Sequence, residues 1–317
     1  MSDLPSPLHA RLSEKSAKVV LGRMGSHMCL NLLRGGFGVT VYDVNRASCD
    51  AVTCDGARPV ASAAEVAAQS DVAILMVLNR EQAEAAVRGE AGYAAGARAG
   101  STLVAMSSLP PDFVRALAVE LEPRGIQVLD APVSGGVEGA RAASLTIMAS
   151  GSDAAFATAE PALAAMGKNI YRVGSRLGQG QTLKALNQAM YFTGLAVAAE
   201  SLIAGSKAGI DPDIMVEVIS QSSGDNWALR NRAPLAWRND YRSGGSLAVA
   251  NKDLNTALAI TREYGMTALV TAATTQLFDI AGKLGPDNAD DPEVVRTVEK
   301  LARHMLQPAK GPSSQDR

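Results

Sequence analysis

The chain has 317 residues, 47% hydrophobic, 20% charged and 4% aromatic, with 29 glycines; this supplies a full core and excludes a wholly disordered protein. Thirty basic and 32 acidic residues leave a formal net charge of -2 with no basic run, so no nucleic acid is expected as a partner. Cys29, Cys49 and Cys54 lack paired metal spacing, so no metal is expected and a reducing, cytoplasmic setting fits best.

Residues 1–16 carry Asp3, Glu14, Pro5 and Pro7 without an apolar h-region and read as an N-terminal arm. No uninterrupted apolar run of 18 residues follows, so no membrane is expected. Across 17–177, short β-branched runs alternate with Ala-rich helical stretches, with strands expected at 18–21, 38–42, 71–77, 102–106, 127–129 and 145–149. That alternation predicts an α/β doubly wound, Rossmann-like dinucleotide-binding domain. From 178 to 309 the apolar residues recur at helical spacing, and 181–207 holds no proline, predicting an all-α domain for substrate and dimerisation that opens on one long helix. Asp211-Pro212 forms an N-cap and N1 pair, and Gly209 is placed to close the preceding helix. Residues 310–317 form a polar tail expected to fray.

Three motifs point to chemistry. After the first strand, Gly22-Arg23-Met24-Gly25 leads into a helix marked by Met24, Met28 and Leu32. In such a turn, backbone N–H groups and the helix N-terminus face a pyrophosphate, although Val20 stands where the first glycine of the fingerprint belongs. The second strand runs into Asp43, 18 residues beyond Gly25. A carboxylate there accepts hydrogen bonds from an adenosine ribose and repels an added phosphate, favouring NAD over NADP. Asp43 could equally end a strand with no ligand, and this motif alone leaves both readings open.

The second motif, Asp130-Ala131-Pro132-Val133-Ser134-Gly135-Gly136, sets a hydroxyl beside backbone N–H groups that glycine leaves uncovered, a workable carboxylate cradle; the plain alternative is a turn. The third, Gly178 to Gln188, puts Lys184 and Asn187 three residues apart on one helical face. Burial lowers a lysine pKa, so a shielded amine there could exchange a proton with an alcohol or carbonyl oxygen. An ordinary lysine would be solvated instead.

These motifs, with the later Lys252-Asp253-Leu254, occur in an order and spacing that resembles the β-hydroxyacid dehydrogenases, the family of 3-hydroxyisobutyrate dehydrogenase, tartronate semialdehyde reductase and L-threonate dehydrogenase. The resemblance runs from about Lys18 to about Arg303. It implies Lys184 as catalytic acid/base, Asn187 as the residue that positions substrate, and Ser134, Gly135 and Gly136 as the holders of its carboxylate. It further implies that Gly22, Arg23, Met24, Gly25, Asp43, Met76, Val77 and Ser108 line an NAD site, with NADP the less favoured nucleotide and Lys252 near its nicotinamide end. A small hydroxy acid is the implied substrate, and a homodimer or homotetramer the expected assembly. A lysine at 184 also speaks against the imine reductases of similar architecture.

The chain departs from the family pattern in places. Its first strand is short and one glycine is missing, which should either pull 12–17 into the sheet or leave the phosphate turn malformed, weakening cofactor binding. Gln188 stands where many relatives carry a second Asn. In 222–231, Trp227 and Asn231 either border the substrate cleft or pack a helix. His9, His27 and His304 read as structural or surface residues. Three functions stay in view: a 3-hydroxyisobutyrate-type dehydrogenase, a sugar-acid dehydrogenase or reductase of the threonate or tartronate semialdehyde type, and a cofactor-impaired binding module.

Overall fold

The computed structural model describes residues 16–20, 24–238 and 241–307. The arm, apart from Ser16, Gly22 and Arg23 of the phosphate turn, and the 310–317 tail lie outside them. The chain divides into two compact units that meet in sequence at Lys184 and Ala185.

The first unit runs β1 (Ser16–Val20), α1 (Gly25–Arg34), β2 (Gly38–Tyr42), α2 (Arg46–Thr53), β3 (Arg58–Pro59), α3 (Ala63–Ala68), β4 (Val72–Leu75), α4 (Arg80–Arg88), α5 (Tyr93–Gly96), β5 (Thr102–Ala105), α6 (Pro111–Leu121), β6 (Gln127–Asp130), β7 (Val133–Ser134), α7 (Gly136–Arg141), β8 (Leu145–Ser150), α8 (Asp153–Met166) and β9 (Gly167–Gly174). The strand order is β3-β2-β1-β4-β5-β6-β8-β7, with β9 paired to β8. Pairing is parallel from β3 through β6 and antiparallel where β6 and β7 meet β8. The chain is thus doubly wound, with its topological switch between β2 and β4, at β1.

Strand composition explains why the sheet is covered on both faces. Val72 and Ile74 of β4 join Val104 and Met106 in a core with Met28, Cys29 and Leu32 of α1 and the small side chains Ala155, Ala159 and Ala162 of α8. The intervening Ala73, Leu75, Leu103 and Ala105 face Phe113, Val114, Leu117 and Leu121 of α6. Residues alternate between faces with period two, and both faces are apolar, as a buried parallel sheet requires.

β1 begins at Ser16, two residues before the expected start at Lys18, and pairs with β2 and β4 through Val20. Ser16 and Ala17 are therefore in the sheet, while 12–15 of the segment expected to join it, and the phosphate turn itself, lie outside the described residues.

The second unit is helical: after α9 (Gln179–Lys207), which begins in the first unit, come α10 (Pro212–Ser220), α11 (Trp227–Asn231), α12 (Ala233–Trp237), α13 (Leu247–Glu263), α14 (Leu269–Leu284) and α15 (Glu293–Ala302). Asp211 caps α10 through the backbone N–H groups of Asp213 and Ile214, and Gly209, at φ 86°, follows the end of α9. Leu195, Ala199 and Leu202 pack with Leu254, Phe278, Val294 and Val295, and the Phe192 and Phe278 rings meet edge-on at 5.2 Å. Among the described residues α9 alone is long and apolar enough to cross a membrane, by length and composition only; 44% of that stretch is buried within the protein.

Candidate active site

In parallel strands all carboxyl ends point to one edge of the sheet, and in open α/β sheets that edge binds ligands at the switch point. Met24 immediately precedes α1 and Gly25 is its first residue, Asp43 follows β2, Met76 and Val77 follow β4, and Ser108 follows β5. All belong to neighbouring strands on that edge. Asp43 is half-buried, and its Oδ1 accepts a hydrogen bond from the Asn45 N–H at 2.8 Å; Asn45 in turn caps α2. The α1 N-terminus has no side-chain cap and no acid in its first turn. Its amides and positive dipole end suit a pyrophosphate, so helix and carboxylate together fit a dinucleotide. Fully buried Ser107 ties two of these loops: its hydroxyl accepts from the Val77 N–H at 2.7 Å and donates to the Leu75 carbonyl at 3.2 Å.

A second cluster builds the start of α9. Asp130, fully buried at the end of β6, accepts at one oxygen, Oδ2, from the Gly178 N–H (3.0 Å), the Gln181 N–H (3.1 Å) and the Ser150 hydroxyl (3.0 Å). The Ser150 Oγ accepts from the Gly180 N–H at 2.9 Å. Three backbone donors that a helix N-terminus leaves unpaired are thus satisfied by residues of β6 and β8. Burial pushes the Asp130 carboxyl up from 3.8 to about 6, against the opposing pull of these hydrogen bonds. The glycines of the motif have separate reasons. Gly178 holds φ 90°, and a Cβ on Gly180 would lie 3.0 Å from Asp130 Oδ2 and far inside contact distance of the Met148 carbonyl. Gln181, also buried, accepts from the Leu109 N–H and donates to the Ser107 carbonyl, both at 2.9 Å. One turn on from this anchored start stands Lys184, only 7% exposed.

The turn from β7 into α7 places Ser134, the last residue of the strand, half-buried and Gly135 and Gly136 exposed. Their φ values, 129° and 61°, suit glycine far better than any residue with a Cβ. The register Ser134↔Thr146 and Val133↔Ile147 fixes the loop against β8.

In the second unit, Asn187 is half-buried on α9 and its Nδ2 donates to Gln188 Oε1 at 3.0 Å. Gln188 Nε2 donates to Asp253 Oδ2 at 3.0 Å, and Asp253 Oδ1 lies 3.1 Å from Lys252 Nζ. The two predicted residues of this unit, Asn187 and Lys252, are therefore joined through two that were not assigned a role. Asn231 donates to the Trp227 carbonyl of its own helix at 2.9 Å. The half-exposed Trp227 ring meets Tyr191 edge-on at 5.5 Å and lies 4.7 Å from the Arg232 guanidinium carbon. Tyr191 OH donates to the buried Asp291 at 2.5 Å and accepts from Arg232 Nε at 3.2 Å.

Sequence reasoning assigned no role to Asp130, Ser150, Ser107 or Gln181. Asp130 and Gln181 stood inside the second and third motifs without a role of their own, and Ser150 and Ser107 had no local pattern; all four act through partners distant in sequence.

Comparison with known proteins agrees with this geometry. Residues 17–174 match the NAD binding domain of 6-phosphogluconate dehydrogenase, and residues 178–298 match the NAD-binding domain of NADP-dependent 3-hydroxyisobutyrate dehydrogenase. The L-threonate dehydrogenase of Cupriavidus necator is 34% identical over 90% of this chain and 96% of its own. The 2-(hydroxymethyl)glutarate dehydrogenase of Eubacterium barkeri is 34% identical over 91% and 97%. The crystal structure of a 3-hydroxyisobutyrate dehydrogenase from Salmonella typhimurium superposes with a TM-score of 0.82 at 29% identity, covering 89% of this chain and 99% of that one. With a doubly wound NAD(P)-binding domain, a helical second unit and relatives matched nearly end to end, the chain is an oxidoreductase that belongs to the β-hydroxyacid dehydrogenase family.

Proposed function

We propose that this chain is an NAD-dependent dehydrogenase of a small β-hydroxy acid of the 3-hydroxyisobutyrate type. The observation that carries the reading is the burial of Lys184 on a helix whose first turn is pinned by Asp130, Ser150 and Gln181. An amine held there takes the hydroxyl proton as the alcohol is oxidised and returns it in reduction. Asn187, three residues on, orients the hydroxyl-bearing carbon. Ser134, Gly135 and Gly136 offer hydroxyl and amide donors to the carboxylate. The nicotinamide cofactor supplies or accepts the hydride. Met24, Gly25, Asp43, Met76, Val77 and Ser108 would hold it, with Gly22 and Arg23 from the adjoining turn and Lys252 toward its nicotinamide end. The carboxylate of Asp43 supports NAD over NADP.

A sugar-acid substrate is the second reading, favoured by the likeness over nearly the whole chain to the L-threonate dehydrogenase of Cupriavidus necator. The exposed Leu183, Leu186, Met190 and Val197 along α9 support a homo-oligomer, which light scattering would detect. The three cysteines are free thiols, two of them buried, which supports a reducing, cytoplasmic setting.

The deciding experiment is a panel of small hydroxy acids with both nucleotides, run on the wild type and on Lys184→Ala. The variant should bind NADH and lose roughly 100- to 10,000-fold in kcat. Near-wild-type turnover by folded Lys184→Ala across the pH range would refute the assignment. A folded wild type that binds neither nucleotide would point instead to a binding module.

A further inference from the structure

The second unit contains a polar chain of four side chains: Asn187 to Gln188, Gln188 to Asp253, and Asp253 to Lys252, linked at 3.0, 3.0 and 3.1 Å. It joins α9 to α13 across 65 residues of sequence, and its central carboxylate, Asp253, is 4% exposed. We propose that Gln188 and Asp253 are positioning residues that fix which way round the Asn187 amide stands and where the Lys252 ammonium sits. The inference rests on the roles given above to Asn187 and Lys252.

The argument is one of hydrogen-bond polarity. A carboxylate only accepts, so Gln188 must turn its NH2 toward Asp253. Its carbonyl oxygen then faces Asn187, and an oxygen there also only accepts, so Asn187 must present its own NH2. With that hydrogen committed, the Asn187 carbonyl oxygen is turned away from Gln188, leaving it and the second amide hydrogen for substrate. Rotating either amide by half a turn would set donor against donor or oxygen against oxygen in a shielded place, where such mismatches are costly. The other oxygen of Asp253 holds Lys252, so one buried carboxylate orders both the substrate-orienting amide and the cation assigned to the nicotinamide end. Gln188 has the length to span from Asn187 to Asp253.

The test uses the full-length enzyme with the hydroxy acid that turns over fastest in the panel. Gln188→Leu keeps the volume and deletes both hydrogen bonds. It should lower kcat roughly tenfold to a hundredfold, while NADH affinity and the KM for the acid stay within about threefold of wild type. If Gln188 acts through Asn187, then Asn187→Ala and the double variant Asn187→Ala/Gln188→Leu should share the same kcat within about twofold. Equal losses from Gln188→Leu in both backgrounds would mark a merely structural residue and overturn the proposal. So would an unimpaired Gln188→Leu beside an impaired Asn187→Ala, which would leave the proposed function standing. An unimpaired Asn187→Ala would instead overturn the role of Asn187 itself, and this inference with it. Should Gln188→Leu fail to fold, Asp253→Asn carries the cycle: an amide there lets Gln188 turn over and also weakens the hold on Lys252, so its loss in kcat should shrink in the Asn187→Ala background without vanishing, and a loss of the same size in both backgrounds would overturn the proposal.

Discussion

Asp130 at the end of β6 accepts a hydrogen bond from the backbone N–H of Gln181, 51 residues later in the chain, at 3.1 Å. Together with Gly178 and Ser150 on the same carboxylate oxygen, it starts the helix that carries Lys184. Burial raises the Asp130 carboxyl to about 6, above its unfolded value of 3.8. The folded state therefore holds this proton more tightly, and stability from this group is greatest below about pH 4 and declines as pH rises through 6. At about 1.4 kcal/mol per pKa unit, and with the unfolded carboxyl already partly protonated at pH 4, the unfolding free energy of the wild type minus that of Asp130→Asn should shift by about 2 kcal/mol toward the wild type between pH 7 and pH 4. Denaturant melts at the two pH values would show it, and a pH-independent difference would contradict the account.

Gly180→Ala should be more damaging than its conservative look suggests. The new methyl would press on the Met148 carbonyl and on Asp130 Oδ2, displacing the first turn of α9. Overpacking of this kind destabilises by about 1–3 kcal/mol, and kcat should fall with it because Lys184 moves with its helix. Thermal melts and turnover measured together would expose a loss in one without the other.

In the loop after β7, Gly135→Ala combines an unfavourable φ of 129° with a Cβ 3.3 Å from Leu145 Cδ2. The same change at Gly136, also at positive φ, meets nothing within 4 Å. Both variants should lose about 1 kcal/mol or more of stability from backbone strain, Gly135→Ala the more. If this loop holds the carboxylate, the KM for the acid should rise in Gly135→Ala while NADH affinity stays put; an unchanged KM would remove the loop from the substrate site.

Asp43→Ser removes the carboxylate at the end of β2 while leaving a small polar side chain. NADP should gain on NAD by roughly tenfold or more in kcat/KM, since a repulsive charge is withdrawn from where the ribose phosphate would lie. An unaltered preference would show that Asp43 serves only the turn it makes with Asn45.

The parts of this fold that the sequence announced are those with strong local signals. Val72–Leu75 and Leu103–Met106 are unbroken apolar runs between helical stretches, and Asp211-Pro212 is a helix start by residue type alone. β9 went unforeseen because Lys168, Asn169 and Arg172 give it no apolar alternation, its exposed residues following no period of two. β7 is two residues long, too short for any periodicity. The first strand was expected two residues late because Ser16 and Ala17 have little β-propensity; pairing on both sides with β2 and β4 brings them in. At the site, Lys184 and Asn187 were legible as a spaced pair on one helix. Asp130, Ser150 and Ser107 were not, since what gives them work is a partner brought near only by the finished sheet.

The cap of α9 also imposes an order of assembly. Its carboxylate and hydroxyl come from β6 and β8 rather than from the helix's own residues, so a stretch spanning 179–207 cut from the chain would contain the amine at 184 yet lack what begins its first turn. During synthesis or refolding, that amine cannot reach its place in the folded protein until the sheet has closed around Asp130. If it carries the proton as proposed, recovery of turnover should lag behind recovery of helical signal.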